Sequence, residues 1–169
     1  MGRKVILRPF RFEDITPVYL GWLHDPTVVK YSNQRFHQHT VMSCQQYLAS
    51  FQGSDNHFLA ICDADSLNMV GTLTVYRNVH HGTADIGVLV GDTAVWGRGV
   101  GFEAFQTVVD ALTRSGMIRK ITAGTLALNV GMIRIMQKTG MTWEASRKGQ
   151  ELVSGEPVDV VYYAKFCDA

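Results

Sequence analysis

Cysteine is scarce and shows no pairing pattern: Cys44, Cys62 and Cys167 are three in number, far apart and without a C-x-x-C pair. They imply neither a disulfide framework nor a zinc site, and they point to a reducing, cytoplasmic setting. Net charge is nearly absent. Sixteen Lys and Arg against fifteen Asp and Glu leave a formal +1, which removes the broad positive field that sequence-independent nucleic-acid binding needs. Long apolar runs are missing too: no window reaches 18 apolar residues, so no membrane-spanning helix is expected. At the amino terminus Val5-Ile6-Leu7 meets Arg8-Pro9 before a signal-peptide core could form, so export is not expected. Met1-Gly2 invites an N-myristoylation reading, but Ile6 stands where that motif wants Ser or Thr.

What is present is a core-forming composition. Hydrophobic residues make up 46% of the 169 positions, which argues against disorder and coiled coil. The length is that of one ordinary domain, and no repeat or linker divides it, so residues 1–169 are expected to form a single unit. Val5-Ile6-Leu7 reads as a first strand, and Glu13-Asp14 as the start of a helix through Trp22-Leu23. Asp25-Pro26 is expected to restart a shorter helix, Tyr31 to His39 to form a loop, and Thr40 to cap a helix ending near Gly53. His57–Cys62, Met69–Tyr76 and Ala84–Val90 then read as an antiparallel meander. Later elements are a helix with apolar positions 102, 105, 108, 109 and 112, a strand Lys120–Leu126, a helix Asn129–Lys138 stopped by Gly140, and strands Thr142–Ser146 and Val158–Phe166. Gly149 to Pro157 is expected to be a loop.

Glycine is the residue in excess. Sixteen occur in 169 positions, and five of them fall between Gly87 and Gly101. The strand Ala84–Val90 feeds through Trp96-Gly97-Arg98-Gly99-Val100-Gly101 into a helix. Such a turn presents free backbone N–H groups and the positive end of a helix dipole, a site for phosphate or pyrophosphate. The dinucleotide fingerprint G-x-G-x-x-G would need glycine where Phe102 stands, and no Gly-Lys-Ser/Thr completes a P-loop. An alternative reading is that Gly99 and Gly101 only permit close packing of helix on sheet.

The segment Trp96-Gly97-Arg98-Gly99-Val100-Gly101-Phe102-Glu103-Ala104 resembles the acetyl-coenzyme A pyrophosphate loop of the GNAT N-acetyltransferases. It is similar to the branch holding ribosomal-protein alanine acetyltransferases and several amino-sugar acetyltransferases. Leu7-Arg8-Pro9 with Glu13-Asp14, Ala127-Leu128-Asn129, and Lys138-Thr139-Gly140-Met141 resemble further anchors of that branch, in the same order. The resemblance implies an α+β GNAT fold: a mixed, mainly antiparallel seven-stranded sheet flanked by helices on both faces. It implies acetyl transfer from acetyl-CoA to a primary amine by direct attack, with no metal. The expected acceptor is a nucleotide-linked amino sugar or another small polar amine. Alternatives are acetylation of a protein amino terminus, a coenzyme A-binding module without catalysis, or a mononucleotide-phosphate binder of another fold. A monomer or homodimer is expected, with no nucleic-acid or membrane partner.

The resemblance also assigns roles. Trp96 and the backbone amides from Gly97 and Arg98 through Gly99, Val100 and Gly101 would hold the pyrophosphate. The edge of Val88-Leu89-Val90 would pair with pantetheine, and an N–H near Leu89 or Val90 would stabilise the oxyanion, a contribution of about 3–4 kcal/mol. Asn129 would contact the coenzyme or simply cap its helix. Met136 stands where many members carry the Tyr that protonates the leaving thiolate, and Met132 where the branch often has Ser. Tyr162 or Tyr163 is therefore a candidate acid, Tyr163 being preferred. Asp85 is the first candidate base, with His80 and His81 behind it. Glu103 is better explained by dipole compensation. The loop from Tyr31 to His39 is expected to contact the acceptor, Asn33, Arg35 and His37 first, with Gln34 and His39 beside them.

Overall fold

The computed structural model describes residues 4–167; the Met1-Gly2 pair of the myristoylation reading lies outside them. Seven strands form one sheet: β1 (Val5–Pro9), β2 (His57–Asp63), β3 (Met69–Asn78), β4 (Thr83–Val90), β5 (Lys120–Leu126), β6 (Thr142–Val153) and β7 (Glu156–Phe166). Their order across the sheet is β1-β2-β3-β4-β5-β7-β6. Every neighbouring pair is antiparallel except β4 and β5. Helices α1 (Pro17–His24) and α2 (Val41–Ala49) cover one face, and α3 (Val100–Arg114) and α4 (Val130–Lys138) the other. The expected mixed, mainly antiparallel sheet with helices on both faces is what the chain forms. Among the described residues no helix is long and apolar enough to cross a membrane.

Strand alternation divides the apolar side chains between two cores. Ala84 and Ile86 of β4, Ile121 and Ala123 of β5, and Tyr163 of β7 meet the stripe Val100, Ala104, Phe105, Val108 and Val109 of α3, with Met136 of α4. On the other face Phe58, Ala60 and Cys62 of β2 meet Tyr19, Trp22 and Leu23 of α1 and Cys44 of α2. A sheet buried on both faces explains why β2 to β4 read as nearly continuous apolar runs.

Three local expectations are corrected. The first helix begins at Pro17, capped by the Thr16 hydroxyl, which accepts from the Tyr19 N–H at 3.2 Å. Glu13-Asp14 belong instead to a short 3-10 turn, Phe12–Asp14. Asp25-Pro26 starts a single turn, closed by Val29 N–H on the Asp25 carbonyl, rather than a helix, and the next ordered piece is a short 3-10 turn, Asn33–Phe36. The stretch Gly149 to Pro157 is mostly strand. β6 and β7 form a long hairpin turning at Ser154 and Gly155, both with positive φ, with a bulge between Arg147 and Glu151. A Ser-Gly pair suits such a two-residue turn, because glycine takes positive φ without steric cost.

Asp14 is the structural pivot of the amino-terminal segment. Both Arg8 guanidinium nitrogens donate to its carboxylate, at 2.6 and 2.7 Å, and the Arg11 N–H donates at 2.7 Å. Burial alone pushes this carboxyl up. The Arg8 and Arg11 contacts outweigh it and hold the group below the usual carboxylate range. Arg8→Met strands a buried carboxylate and is expected to cost about 2 kcal/mol. A depressed folded pKa contributes stability above the unfolded value of about 3.9, lost as pH falls through the folded one. Thermal midpoints of wild type and variant therefore differ at pH 7, and the gap narrows as pH falls below about 3.9; a gap that does not narrow with acid refutes the assignment.

Candidate active site

The site begins where two strands part. β4 and β5 pair only at Thr83↔Lys120, Ala84↔Ile121 and Asp85↔Thr122. Beyond Asp85, β4 stays registered on β3 as far as Val90↔Gly71, while β5 stays on β7 as far as Leu126↔Val160. The Gly91 N–H donates to the Val70 carbonyl at 2.9 Å, so residues 89, 87 and 85 turn their main-chain groups to β3. Residues 86, 88 and 90 turn theirs away, into the opening. The Trp96 indole N–H donates to the Val90 carbonyl at 2.9 Å, in agreement with that orientation. Val88 thus presents N–H and C=O to the wedge, and Val90 its N–H. Leu89 contributes side chain and position only: its amide belongs to β3, which corrects the expected oxyanion donor. Which of two neighbouring amides faces an edge depends on the register with β3, and that register is invisible in the segment itself.

The wedge is a cavity of about 780 Å³ bounded by β4, the glycine turn, α4 and Thr125 of β5. Gly99, at φ +83°, caps α3 in a conformation that strains any other residue. The N–H groups of Val100, Gly101 and Phe102 follow it and have no intrahelical carbonyl to bond, leaving a concentrated donor set on the positive end of a helix. The Arg98 N–H does not join them, because it donates to the Val95 carbonyl at 3.2 Å. A Cβ on Gly101 would press on Val90 and Ile135 side chains at 3.1 and 3.3 Å. Both readings of the glycines therefore apply: Gly99 shapes the turn, and Gly101 lets α3 lie against β4.

Three cations also line the wedge, Lys30, Arg134 and Lys138. The sequence reading missed them because they come from the loop after α1 and from one face of α4. Glu103 stands apart. Its carboxylate accepts from the Lys4 N–H at 2.7 Å and the Val5 N–H at 3.3 Å, tying β1 to α3. Asn129 lines the wedge and caps α4, accepting from Met132 N–H at 3.2 Å and donating to the Thr125 hydroxyl at 3.0 Å. Met136 is fully buried in the main core, whereas Met132 and Ile135 face the wedge.

Two further chambers open from it. One, about 420 Å³, lies between α1, α2, residues 32–39 and β4, and shares Ser32, Gly87, Val88 and Leu89 with the wedge. Of Asn33, Gln34, Arg35, His37 and His39, the three that line it are Gln34, His37 and His39; Ser43 and Tyr47 were not expected there. Arg35 is occupied elsewhere, donating to the carbonyls of Ser32 at 2.8 Å and Leu152 at 3.2 Å, with Glu151 3.9 Å away. Asn33 donates to Glu151 at 3.4 Å. Both residues hold the β6–β7 hairpin against the loop, a contact between segments more than a hundred residues apart that local composition could not show. No carboxylate lines this chamber.

The second, a recess of about 260 Å³, holds Asp85 with Tyr31, Asn33, Glu151 and Tyr162, and meets the wedge at Tyr31, Gly124 and Thr125. Asp85 keeps an open side to solvent, yet desolvation in this recess pushes its carboxyl above the ordinary range, against the Thr122 hydroxyl that donates at 2.6 Å. Tyr163 is a correction. It lies opposite Ala123 and points into the helix-covered core, its hydroxyl 3.4 Å from Gln137 Nε2. Tyr162 takes the other face. His80 and His81 sit at the β3–β4 turn, beside Met117 and Arg119, at the far end of β4 from the wedge. Among the described residues no group of three metal-binding side chains converges.

A split strand pair, an amide cradle and flanking chambers are features that can be compared with known proteins. A relative from Bacillus subtilis (strain 168), described as a probable N-acetyltransferase, is 25% identical over 112 residues; the match covers 65% of this chain and 61% of the relative. The spermidine N-acetyltransferase of Vibrio cholerae, solved with coenzyme A and spermine, superposes with a TM-score of 0.85 at 14% identity, covering 98% of this chain and 97% of its own. A ribosomal L7/L12 α-N-protein acetyltransferase, solved with coenzyme A, gives 0.85 at 18% identity over 99% and 97%. At these identities the two structures speak to the fold alone. The model of the acetyltransferase (GNAT) domain matches residues 4–142, most of the chain and all of the wedge, and the protein therefore belongs to the GNAT acetyltransferase family.

Proposed function

We propose that this protein transfers an acetyl group from acetyl-CoA to a primary amine by direct attack. The observation that carries the reading is the unpaired edge of β4 running from Asp85 to the amide cradle at Gly99, with acceptor chambers on its flank. The N–H groups of Val100, Gly101 and Phe102 suit a pyrophosphate, and Lys30, Arg134 and Lys138 offset further phosphate charge. Val88, with donor and acceptor both turned to the wedge, pairs with a pantetheine amide as an added strand would. The Val88 or Val90 N–H polarises the thioester carbonyl and stabilises the oxyanion. An acceptor amine arrives as ammonium, and Asp85, its proton affinity raised by desolvation, removes a proton before attack.

The chamber lined by Gln34, His37, His39, Ser32 and Ser43 favours a polar or anionic acceptor such as a nucleotide-linked amino sugar, because it holds hydrogen-bonding groups without a carboxylate. That chemistry is unlike what a polycation requires. A second reading, a coenzyme A-binding module without turnover, draws on the replacement of the expected tyrosine by the buried Met136. Thiol release from acetyl-CoA measured against a panel of amines separates the two. Turnover with any amine eliminates the module, whereas tight coenzyme binding without turnover eliminates the transferase.

Gly99→Asp places bulk at positive φ and a like charge at the cradle. Calorimetric affinity for coenzyme A is expected to fall at least 100-fold with folding retained, and an unchanged affinity shows that the cradle is misassigned. Asp85→Asn is expected to lower kcat/KM about 100-fold near pH 7 and to recover as rising pH delivers the amine already neutral. The same substitution removes a desolvated charge. A raised folded pKa means that the ionised form costs stability at neutral pH, a cost absent below the unfolded value of about 3.9. The variant should therefore melt higher than wild type at pH 7 and equally at pH 3. A variant with the wild-type pH–rate profile removes Asp85 as the base.

A further inference from the structure

We propose that the Tyr31 hydroxyl donates the proton that the departing coenzyme thiolate takes up, an inference that rests on the transferase reading. The reacting carbon and sulfur must lie where the coenzyme wedge meets the acceptor chambers. The residues lining the wedge and the α1/α2 chamber are Ser32, Gly87, Val88 and Leu89; those lining the wedge and the Asp85 recess are Tyr31, Gly124 and Thr125. Tyr31 and Ser32, adjacent in the chain, thus stand at the junction of all three spaces.

Among these junction residues only three side chains carry a hydroxyl. The Ser32 oxygen accepts the Gln34 N–H at 3.2 Å, and the Thr125 oxygen accepts Asn129 Nδ2 at 3.0 Å. Aliphatic hydroxyls are also far too weak as acids to match a thiol. A phenol, ordinarily near 10 on the pKa scale against about 8.5 for a cysteine thiol, is close enough to exchange a proton with it. The other tyrosines near the site stand elsewhere. Tyr163 is in the core, Tyr162 lines the recess without reaching the wedge, Tyr19 is buried in the α1/α2 core and lines that chamber without reaching the wedge, and Tyr47 shares a hydrogen bond with Tyr76 at 2.7 Å on the α2 side. The position held by Met136 cannot supply a proton.

The segment bearing Tyr31 is braced. Ser32 N–H donates to the Val29 carbonyl at 2.9 Å, and Arg35 ties the Ser32 carbonyl to that of Leu152 on the hairpin. The charged groups around the phenol are Lys30, whose Nζ lies 5.1 Å from the ring centroid, Asp85 and Glu151 in the recess, and Arg134 and Lys138 in the wedge. In the step itself the amine nitrogen bonds to the carbonyl carbon, the C–S bond breaks with its electron pair going to sulfur, and the Tyr31 proton passes to sulfur. The ammonium loses two protons in all: one leaves through Asp85 to water, and the other restores the phenol.

Tyr31→Phe keeps the ring and removes the proton. With acetyl-CoA and an accepted amine, kcat should fall about 30- to 100-fold while coenzyme A affinity stays within twofold. With the acetyl thioester of 4-nitrothiophenol, whose thiolate leaves without protonation, variant and wild type should turn over within threefold of each other. Equal impairment of Tyr31→Phe on both donors, or no impairment on acetyl-CoA, overturns the assignment alone. A wild type that releases no thiol from acetyl-CoA with any amine overturns the transferase reading and this assignment with it.

Discussion

Most of the structure depends on one conflict of pairing. β4 has β3 along its full length, but it has β5 only from Thr83 to Asp85. Backbone N–H and C=O groups are obligatory hydrogen-bonding groups, and a strand edge left open beside a cavity lacks only a ligand able to pair with it. The edge from Ile86 to Val90 is such a place. Two cores keep it open: Ala84 and Ile86 are held by α3 and Ile121 on one face, while Leu89 packs against the α1/α2 cluster on the other. Neither strand can swing to close the gap without leaving its own partner.

The wedge gains chemistry from what is placed at its ends. The carboxyl-terminal end of β4 leads into the Gly99 turn and the first free amides of α3, where negative charge is favoured by geometry and by the helix dipole. At the vertex stands Asp85, where the last β4–β5 pair and the Thr122 hydroxyl fix its direction. Between them the loop from Tyr31 to His39 closes the chamber beside α1 and α2. It keeps its shape through the Thr40–Ser43 capping box, the His39 N–H bond to His24 Nε2 and the Arg35 clamp on the hairpin. Among the polar residues of that loop, His37 and His39 line a chamber, Arg35 holds the loop in place, and Asn33 does both.

Legibility in the sequence followed the range of the interaction involved. The glycine turn, the stripe of α3, the Thr40 cap and the strand runs were readable because each rests on residues within a few positions of one another. Asp85 was readable as well, since alternation along β4 places it on the same side as Leu89. The choice between Tyr162 and Tyr163 was not: alternation says only that they face opposite ways, and which way depends on β7 lying beside β5. Arg35 read as a free contact because Glu151 and Leu152 come from the far end of the chain, and for the same reason the bond of Asn33 to Glu151 was not visible, although Asn33 does line the Asp85 recess. Lys30, Arg134 and Lys138 left no local signal of a shared site, since nothing in their neighbours shows that they converge on one space.

By itself the sequence determined most of the elements, the apolar stripe of α3 and the glycine turn that precedes it, because propensity, periodicity and positive-φ glycines act within a single segment. Tertiary structure decided which amide of Val88, Leu89 and Val90 faces the wedge, which tyrosine faces solvent-filled space, and which polar side chains are spent on bracing. Those outcomes depend on strand register and on contacts between distant segments. They follow only when the whole sheet has chosen its partners.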